Sequence, residues 1–323
     1  MKTKRVRYMI FLTAVILFYS CADDTSGHVE DGPVIVKTGT IDCDIVETSP
    51  VVFKNKVYRF EYIRPKYWNN DSGDSYFRFI DRETGQTTPP FGKGFHLGSA
   101  FVDNDSVYVT AANSWDGEQI HIFRSGDLKN WDSRLAFELP GYGIFNTSLT
   151  HSPKDEYILM FEIGKPEAEA GVRFTARFAT SPDLLNWKVL PSDRNYAKDR
   201  YTAPHCLRYL DGYYYNFYLE AHDGYEQRLV RSSDLIHWES SPLNPVLQAS
   251  DEDKRIFNTN LPDELRDKIV EAQNLNNSDI DFCEYNGQLI INYSWGNQQG
   301  TEFLAEAIYE GTQAQFLKAW FPD

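Results

Sequence analysis

Three stretches of this chain spell one phrase: Ser125-Gly126-Asp127-Leu128-Lys129-Asn130-Trp131, Ser181-Pro182-Asp183-Leu184-Leu185-Asn186-Trp187 and Ser232-Ser233-Asp234-Leu235-Ile236-His237-Trp238. Self-similarity at this spacing marks a radial or stacked β architecture. The Ser and Asp can bond nearby backbone amides and fix a turn, while the Leu and Trp can wedge between neighbouring units. These are structural jobs, and the tryptophans of the phrase receive no catalytic role.

Outward from the phrase, the sequence from Val34 divides into five units. Each has a short apolar strand, a turn at Gly, Asn or Asp, and an aromatic-rich return strand. The first runs through Pro50–Phe53, a turn at Asn55 and Val57–Glu61. The second runs through Leu97–Val102, a turn at Asn104-Asp105 and Val107–Thr110. The third runs through Phe145–Leu149, a turn at Lys154-Asp155 and Tyr157–Glu162. The fourth runs through Ala203–Leu207, a turn at Asp211-Gly212 and Tyr213–Glu220. The fifth runs through Asp279–Cys283, a turn at Asn286-Gly287 and Leu289–Trp295. Asp-Gly and Asn-Gly are the strongest short hairpin signals. Residues 262–272 read as one helix, with Pro262 near its start and acids in the first turn. The fold class is therefore all-β: a five-bladed β-propeller of four-stranded units, with a short helix inserted before the last blade. A pair of β-sandwiches is the alternative, and the repeated phrase speaks against it.

Composition agrees with this reading. Hydrophobic residues make up 41% and charged residues 24% of 323, and aromatics reach 15% with 20 Tyr and 21 Phe. A sizeable core and β-rich structure are expected. The net charge of −15 makes nucleic acid a poor partner, because phosphate binding needs a basic face. At the N-terminus, Lys2, Lys4, Arg5 and Arg7 precede an apolar run from Met9 to Tyr19. The run is shorter than a membrane span and has the form of a secretory signal. It ends at Ser20-Cys21, resembling a bacterial lipoprotein signal with Cys21 as the lipidated residue. Ala22-Asp23-Asp24 resembles the acidic surface-export tag of Bacteroidetes lipoproteins. The expected division is a signal peptide over 1–20, a tether over 21–33 and a propeller over 34–323. Anchoring to the outer membrane or cell surface through lipid is expected, with a periplasmic face as the alternative. Cys43, Cys206 and Cys283 remain, an odd number that rules out full intramolecular pairing.

Arg231–Trp238, the hairpin from Ala203-Pro204-His205 to Tyr213-Tyr214-Tyr215, and Ser49-Pro50-Val51-Val52 carry a family resemblance. The chain resembles the five-bladed glycosidases of the arabinosidase/invertase superfamily, glycoside hydrolase families 43 and 117, from about Glu47 to its end. In family 43, three acids stand near the starts of innermost strands. The matching positions here are Ser49, Asn146 and Thr202, none of which ionises usefully. The resemblance implies that chemistry has moved to other residues or has been lost.

In a propeller, the start of each innermost strand and the end of the second strand meet at one face. Counting eight residues from each turn gives Glu220, Trp295, Glu162 and Asn113, with Glu61 and Tyr62 near the same level in blade one. Strand starts add Asp279, Asp281, His205 and His96. Asp279 and Asp281, two apart on a strand, are expected on one side. Carboxylic acids at unequal burial can have their pKa values pulled apart, which is what glycoside hydrolysis needs. The candidate catalytic set is Asp279, Asp281, Glu220 and Glu162. His205 and His96 would orient sugar, and the resemblance to family 117 implies that one histidine can replace a missing acid. Trp295, Trp115 and Asn113 would hold the sugar. No cofactor is expected, although Asp279, Asp281 and Asn277 offer oxygen ligands suited to Ca²⁺.

The leading expectation is thus a glycosidase acting on polysaccharide-derived oligosaccharides, with inversion implied by the resemblance. A surface glycan-binding propeller without catalysis is the alternative. A phosphorylase is a third reading, and it would need a phosphate site from Arg64, Arg177 or Arg231.

Overall fold

The computed structural model describes residues 32–70, 73–152, 156–221, 224–300 and 302–322. Cys21, the expected signal peptide and residues 21–31 of the tether lie outside them, as does the Lys154-Asp155 turn. From Val36 onward the chain forms five antiparallel sheets, each meandering outward from a central channel. It opens with β1 (Val36–Cys43), which joins none of the sheets that follow it directly. Blade one is β2 (Thr48–Phe53), β3 (Lys56–Ile63) and β4 (Tyr76–Asp81). Blade two is β5 (His96–Asp103), β6 (Ser106–Ala112), β7 (Gln119–Ser125) and β8 (Asp132–Glu138). Blade three is β9 (Gly143–Ser152), β10 (Glu156–Lys165), β11 (Thr175–Ser181) and β12 (Lys188–Val189), with a single turn of helix, α1 (Glu167–Ala170), between β10 and β11. Blade four is β13 (His205–Leu210), β14 (Tyr213–Glu220), β15 (Glu226–Ser232) and β16 (Glu239–Ser240). Helix α2 (Asp263–Glu271) precedes blade five: β17 (Asn276–Tyr285), β18 (Gln288–Gly296) and β19 (Glu302–Glu310), followed by α3 (Gln313–Ala319).

The five-bladed propeller and its inserted helix are as the sequence suggests. Two features differ. Blade one has three strands rather than four among the described residues, and its edge is met only by bridges from Thr87 and Phe91. Blade five takes its outer strand from the start of the chain. β1 pairs antiparallel with β19, from Val36 opposite Ile308 to Cys43 opposite Phe303. This closes the ring, so no blade edge at the seam is left unpaired.

The repeated phrase does the turn-making its residues suggest. Oδ1 of Asp127 accepts from the amides of Lys129 and Asn130, each at 2.8 Å, and Asp183 and Asp234 repeat the arrangement. These bonds hold the carboxylates well below the ordinary range, at about 2 for Asp183. The leucine that follows each Asp sits in the left-handed region, with φ 61° at Leu128, 61° at Leu184 and 63° at Leu235. That conformation is unfavourable for a residue bearing a Cβ. Burial offsets it, since each leucine is 3% exposed between adjacent blades. Trp131 stacks on Phe91 with centroids 3.9 Å apart, and Trp238 stacks on Phe178.

The seam is pinned by a buried ion pair. Lys37 on β1 places Nζ 2.8 Å from Oδ1 of Asp253, which is fully buried in a short 3-10 turn. Lys37 also donates to Asn277 Oδ1, and Tyr293 Oη donates to Asp253 at 2.7 Å. Strands β1, β17 and β18 are thus tied to one carboxylate. Burial lowers the Lys37 pKa, and Asp253 opposes that shift. Asp253→Ala strands a buried ammonium, so urea unfolding should show a loss of ~3–5 kcal/mol; a loss below ~1 kcal/mol contradicts this role.

Candidate active site

The innermost strands β2, β5, β9, β13 and β17 ring the channel, and their starting ends open into a mouth. Three of these starts are kinked alike. Glu47 before β2, Leu97 in β5 and Asp279 in β17 all have left-handed backbone, with φ 49°, 55° and 55°. In β5 and β17 the kink coincides with a break in strand register, between His96 and Ser99 and between Ser278 and Asp281. In blades one and five, the kinked residue is an acid facing the channel.

The mouth is a cavity of about 260 Å³ lined by Glu47, Arg64, Trp115, Tyr201, Asp279 and Glu302, among others. Glu47 and Asp279 also line the narrower throat beneath it, together with Asn146, His205 and Asp281. Arg64 Nη2 donates to both oxygens of Glu47, at 3.1 and 3.4 Å, and its guanidinium lies 4.4 Å from the Tyr62 ring centroid. Ser278 Oγ donates to Asp279 Oδ2 at 2.6 Å. The amide of Gln298 donates to Glu302 Oε1 at 2.7 Å. Burial drives all three carboxyls upward. Glu47 is pushed up to about 7, with Arg64 opposing burial and Asp279 and Glu162 adding to it. Asp279 is raised to about 6, against bonds from Ser278 and Ser294. Glu302 is raised to about 8, with Asp279 and Glu47 adding to burial.

The other sequence-derived candidates fall in different places. Glu162 is fully buried behind the throat, where Oε1 meets His205 Nδ1 at 2.8 Å and Oε2 accepts from Asn146 Nδ2 at 3.0 Å. His205 lines the throat, and its Nε2 is buried without a hydrogen-bond partner. His96 sits one layer back, with Nδ1 2.5 Å from Tyr62 Oη. Asp281 lines the throat with Asp279, but it pairs with Arg208 and accepts from the Phe282 amide, and a register break falls between Ser278 and Asp281. Glu220 lies off the lining of both cavities, 3.4 Å from Arg200 and 3.7 Å from Arg228. Trp115 lines the mouth, edge-on to Phe145 at 5.2 Å. Trp295 cannot stack on a ligand: it is fully buried against Phe303, and its Nε1 donates to Thr40. Asn113 is used in its own turn, where Oδ1 accepts from the Gln119 amide.

Two of the three oxygen ligands suggested for Ca²⁺ have other partners. Asn277 Oδ1 is taken by Lys37 and Asp281 by Arg208. Among the described residues, no group of three His, Cys, Asp or Glu side chains is placed to hold a metal ion. The arginines named for a phosphate site are also dispersed: Arg64 serves Glu47, Arg177 pairs with Glu169, and Arg231 pairs with Glu239. Cys43, Cys206 and Cys283 are free thiols.

Sequence reasoning missed Glu47, Glu302, Tyr201, Tyr67 and Trp68. Glu47 stands two residues before Ser49, the position matched to the family's first acid, so a small shift of register would have reached it. Glu302 starts the third strand of its blade, away from the first-strand starts and second-strand ends that carry the other candidates.

Neither a protein-family model nor a curated protein sequence matches the chain. Solved structures do. A thermostable family-43 glycoside hydrolase superposes with a TM-score of 0.57 at 11% identity, over 84% of this chain and 92% of that one. A second glycoside hydrolase gives 0.58 at 12% identity, over 90% and 96%. An α-L-arabinofuranosidase from Fusarium graminearum, in complex with an iminosugar inhibitor, gives 0.55 at 11% identity, over 87% and 97%. The chain has the fold of these glycosidases.

The two tryptophans make a direct contrast. Trp295→Ala removes a fully buried indole and should lower stability to denaturant by ~3–5 kcal/mol, whereas Trp115→Ala at the half-buried mouth should leave most of it. Equal losses in equilibrium denaturation would contradict their placement.

Proposed function

We propose that the chain is a glycoside hydrolase in which Glu47 and Asp279 are the acid and base. The observation that carries this reading is the convergence of these two acids on one cavity, with proton affinities raised and unequal. Glycoside hydrolysis needs one carboxyl that holds its proton and one that has lost it. Glu47, at about 7, would donate its proton to the glycosidic oxygen as the bond to the sugar carbon breaks. Asp279, at about 6, would take a proton from the water that attacks that carbon. This is the inverting scheme implied by the family resemblance. Arg64 would hold Glu47 in place, Glu162 would orient His205 against the sugar, and Trp115 would give the ring an apolar face. Asp281 and Glu220, both engaged by arginine, would serve as scaffold.

The fold is shared with an α-L-arabinofuranosidase, so pentose-terminated oligosaccharides are the first substrates to test, with reducing-end detection. On the substrate that turns over, Glu47→Gln and Asp279→Asn should each lower kcat by roughly 10²–10⁴-fold, while Glu220→Gln stays within about threefold of the parent. Activity needs Asp279 ionised and Glu47 protonated. The profile of kcat/KM should therefore rise through about pH 6 and fall beyond about pH 7. A flat profile from pH 5 to 9, or full turnover in both variants, would sink the assignment.

A binding role without catalysis is the second reading. It is favoured by the uncharged Ser49, Asn146 and Thr202 at the positions where family 43 carries acids. Under it, oligosaccharides bind but none is cleaved. In either role we place the protein at the outer membrane or cell surface, held by lipid on Cys21. No helix among the described residues is long and apolar enough to cross a membrane. Cys21→Ser should abolish incorporation of labelled palmitate in cells and release the protein from the membrane fraction; unchanged labelling would exclude that anchor.

A further inference from the structure

Around the mouth, three buried polar atoms have no hydrogen-bond partner: Arg64 Nη1, Asn70 Oδ1 and Glu302 Oε2. Leaving a buried polar atom without a partner is unfavourable. Three in one cavity form an arrangement that a ligand can complete. Glu302 is the most constrained. It is 3% exposed, and its Oε1 is already committed to the Gln298 amide. The loop it anchors is fixed from outside as well, because the Gly300 amide donates to Tyr67 Oη at 3.0 Å.

We propose that Glu302 is a specificity-determining residue that donates a hydrogen bond from Oε2 to a hydroxyl of a neutral sugar bound in the mouth. The inference rests on the reading that this cavity takes sugar, but not on catalysis. The groups facing Glu302 explain why it acts as a donor. Asp279 comes from β17, Glu47 from the segment before β2 and the Tyr67 phenol from the connection after β3; hydrogen bonds from the Gln298 amide and the Asn276 carboxamide favour the charged form, but burial outweighs them. None of these brings a positive charge, and Arg64, the only Lys or Arg among the described residues lining the mouth, is spent on Glu47. A buried third anion without a counterion is unfavourable, so the carboxyl keeps its proton. The same surroundings repel a uronate or a sulfated sugar. Arg64 Nη1 as donor and Asn70 Oδ1 as acceptor complete a pattern suited to adjacent hydroxyls, which both donate and accept.

The proton on Glu302 is held below about pH 8 and lost above it. Glu47 and Asp279 lose theirs lower, at about 7 and 6, so a change between pH 7.5 and 9.5 reports mainly on Glu302. The test is calorimetric titration with a panel of neutral methyl pentosides and hexosides and the matching uronates. The parent, Glu302→Gln and Glu302→Ala are compared at both pH values. For the neutral sugar that binds, parent affinity should fall about tenfold from pH 7.5 to 9.5. Glu302→Gln, whose amide still donates, should bind within about threefold of the parent at pH 7.5 and lose the pH dependence. Glu302→Ala should bind at least about tenfold more weakly at both values. Matching uronates should bind more weakly than neutral sugars throughout. The proposal is overturned if Glu302→Gln keeps the parent's pH dependence, if uronates bind best, or if no neutral sugar binds. The predicted pattern without hydrolysis would retain the proposal and reject only the catalytic reading above.

Discussion

The mouth of this propeller gathers three carboxyls, Glu47, Asp279 and Glu302, around one guanidinium. Arg64 can balance one negative charge, and its geometry commits it to Glu47. The remaining acids are buried without a cation of their own. Charge in a low-dielectric site is expensive unless paired, so protons must stay on part of the set near neutral pH. The donor role assigned to Glu302 follows from that imbalance.

The scaffold makes the imbalance possible. Acids from opposite ends of the chain meet only because the sheets close into a ring, and the ring closes through β1. The Lys37–Asp253 pair at that seam ties the first strand to the elements that lead into β17. β17 carries Asp279, and β1 leads within a few residues to Glu47. The pairing that closes the ring thus lies on the elements that bring both acids to one mouth. The left-handed kinks at Glu47 and Asp279 then turn each acid out of its strand's alternation and into the channel.

Much of this architecture is legible in the sequence. The phrase around Asp127, Asp183 and Asp234 marks the blades because its bonds are local: each carboxylate caps amides two and three residues away. The inserted helix is legible for the same reason. Features set by distant partners are not. β1 reads as a strand, but its pairing with β19 spans nearly the whole chain. That blade one has three strands rather than four among the described residues leaves no local mark. In the site, Asp279 is visible as an acid at a strand start. The register break between Ser278 and Asp281 is a feature that strict alternation does not anticipate, and so is the Arg208 partner of Asp281. Glu220 and Trp295 sit at the expected height on their strands but on other sides, held by arginines and by the blade core.

The most direct test of the central claim is a carbon-13 NMR titration of the side-chain carboxyls, with Glu47, Asp279 and Glu302 assigned from their Gln and Asn variants. The account predicts three groups that lose protons between about pH 6 and 8, in the order Asp279, Glu47, Glu302. Titration of all three below about pH 5, where solvated carboxyls lose their protons, would contradict it.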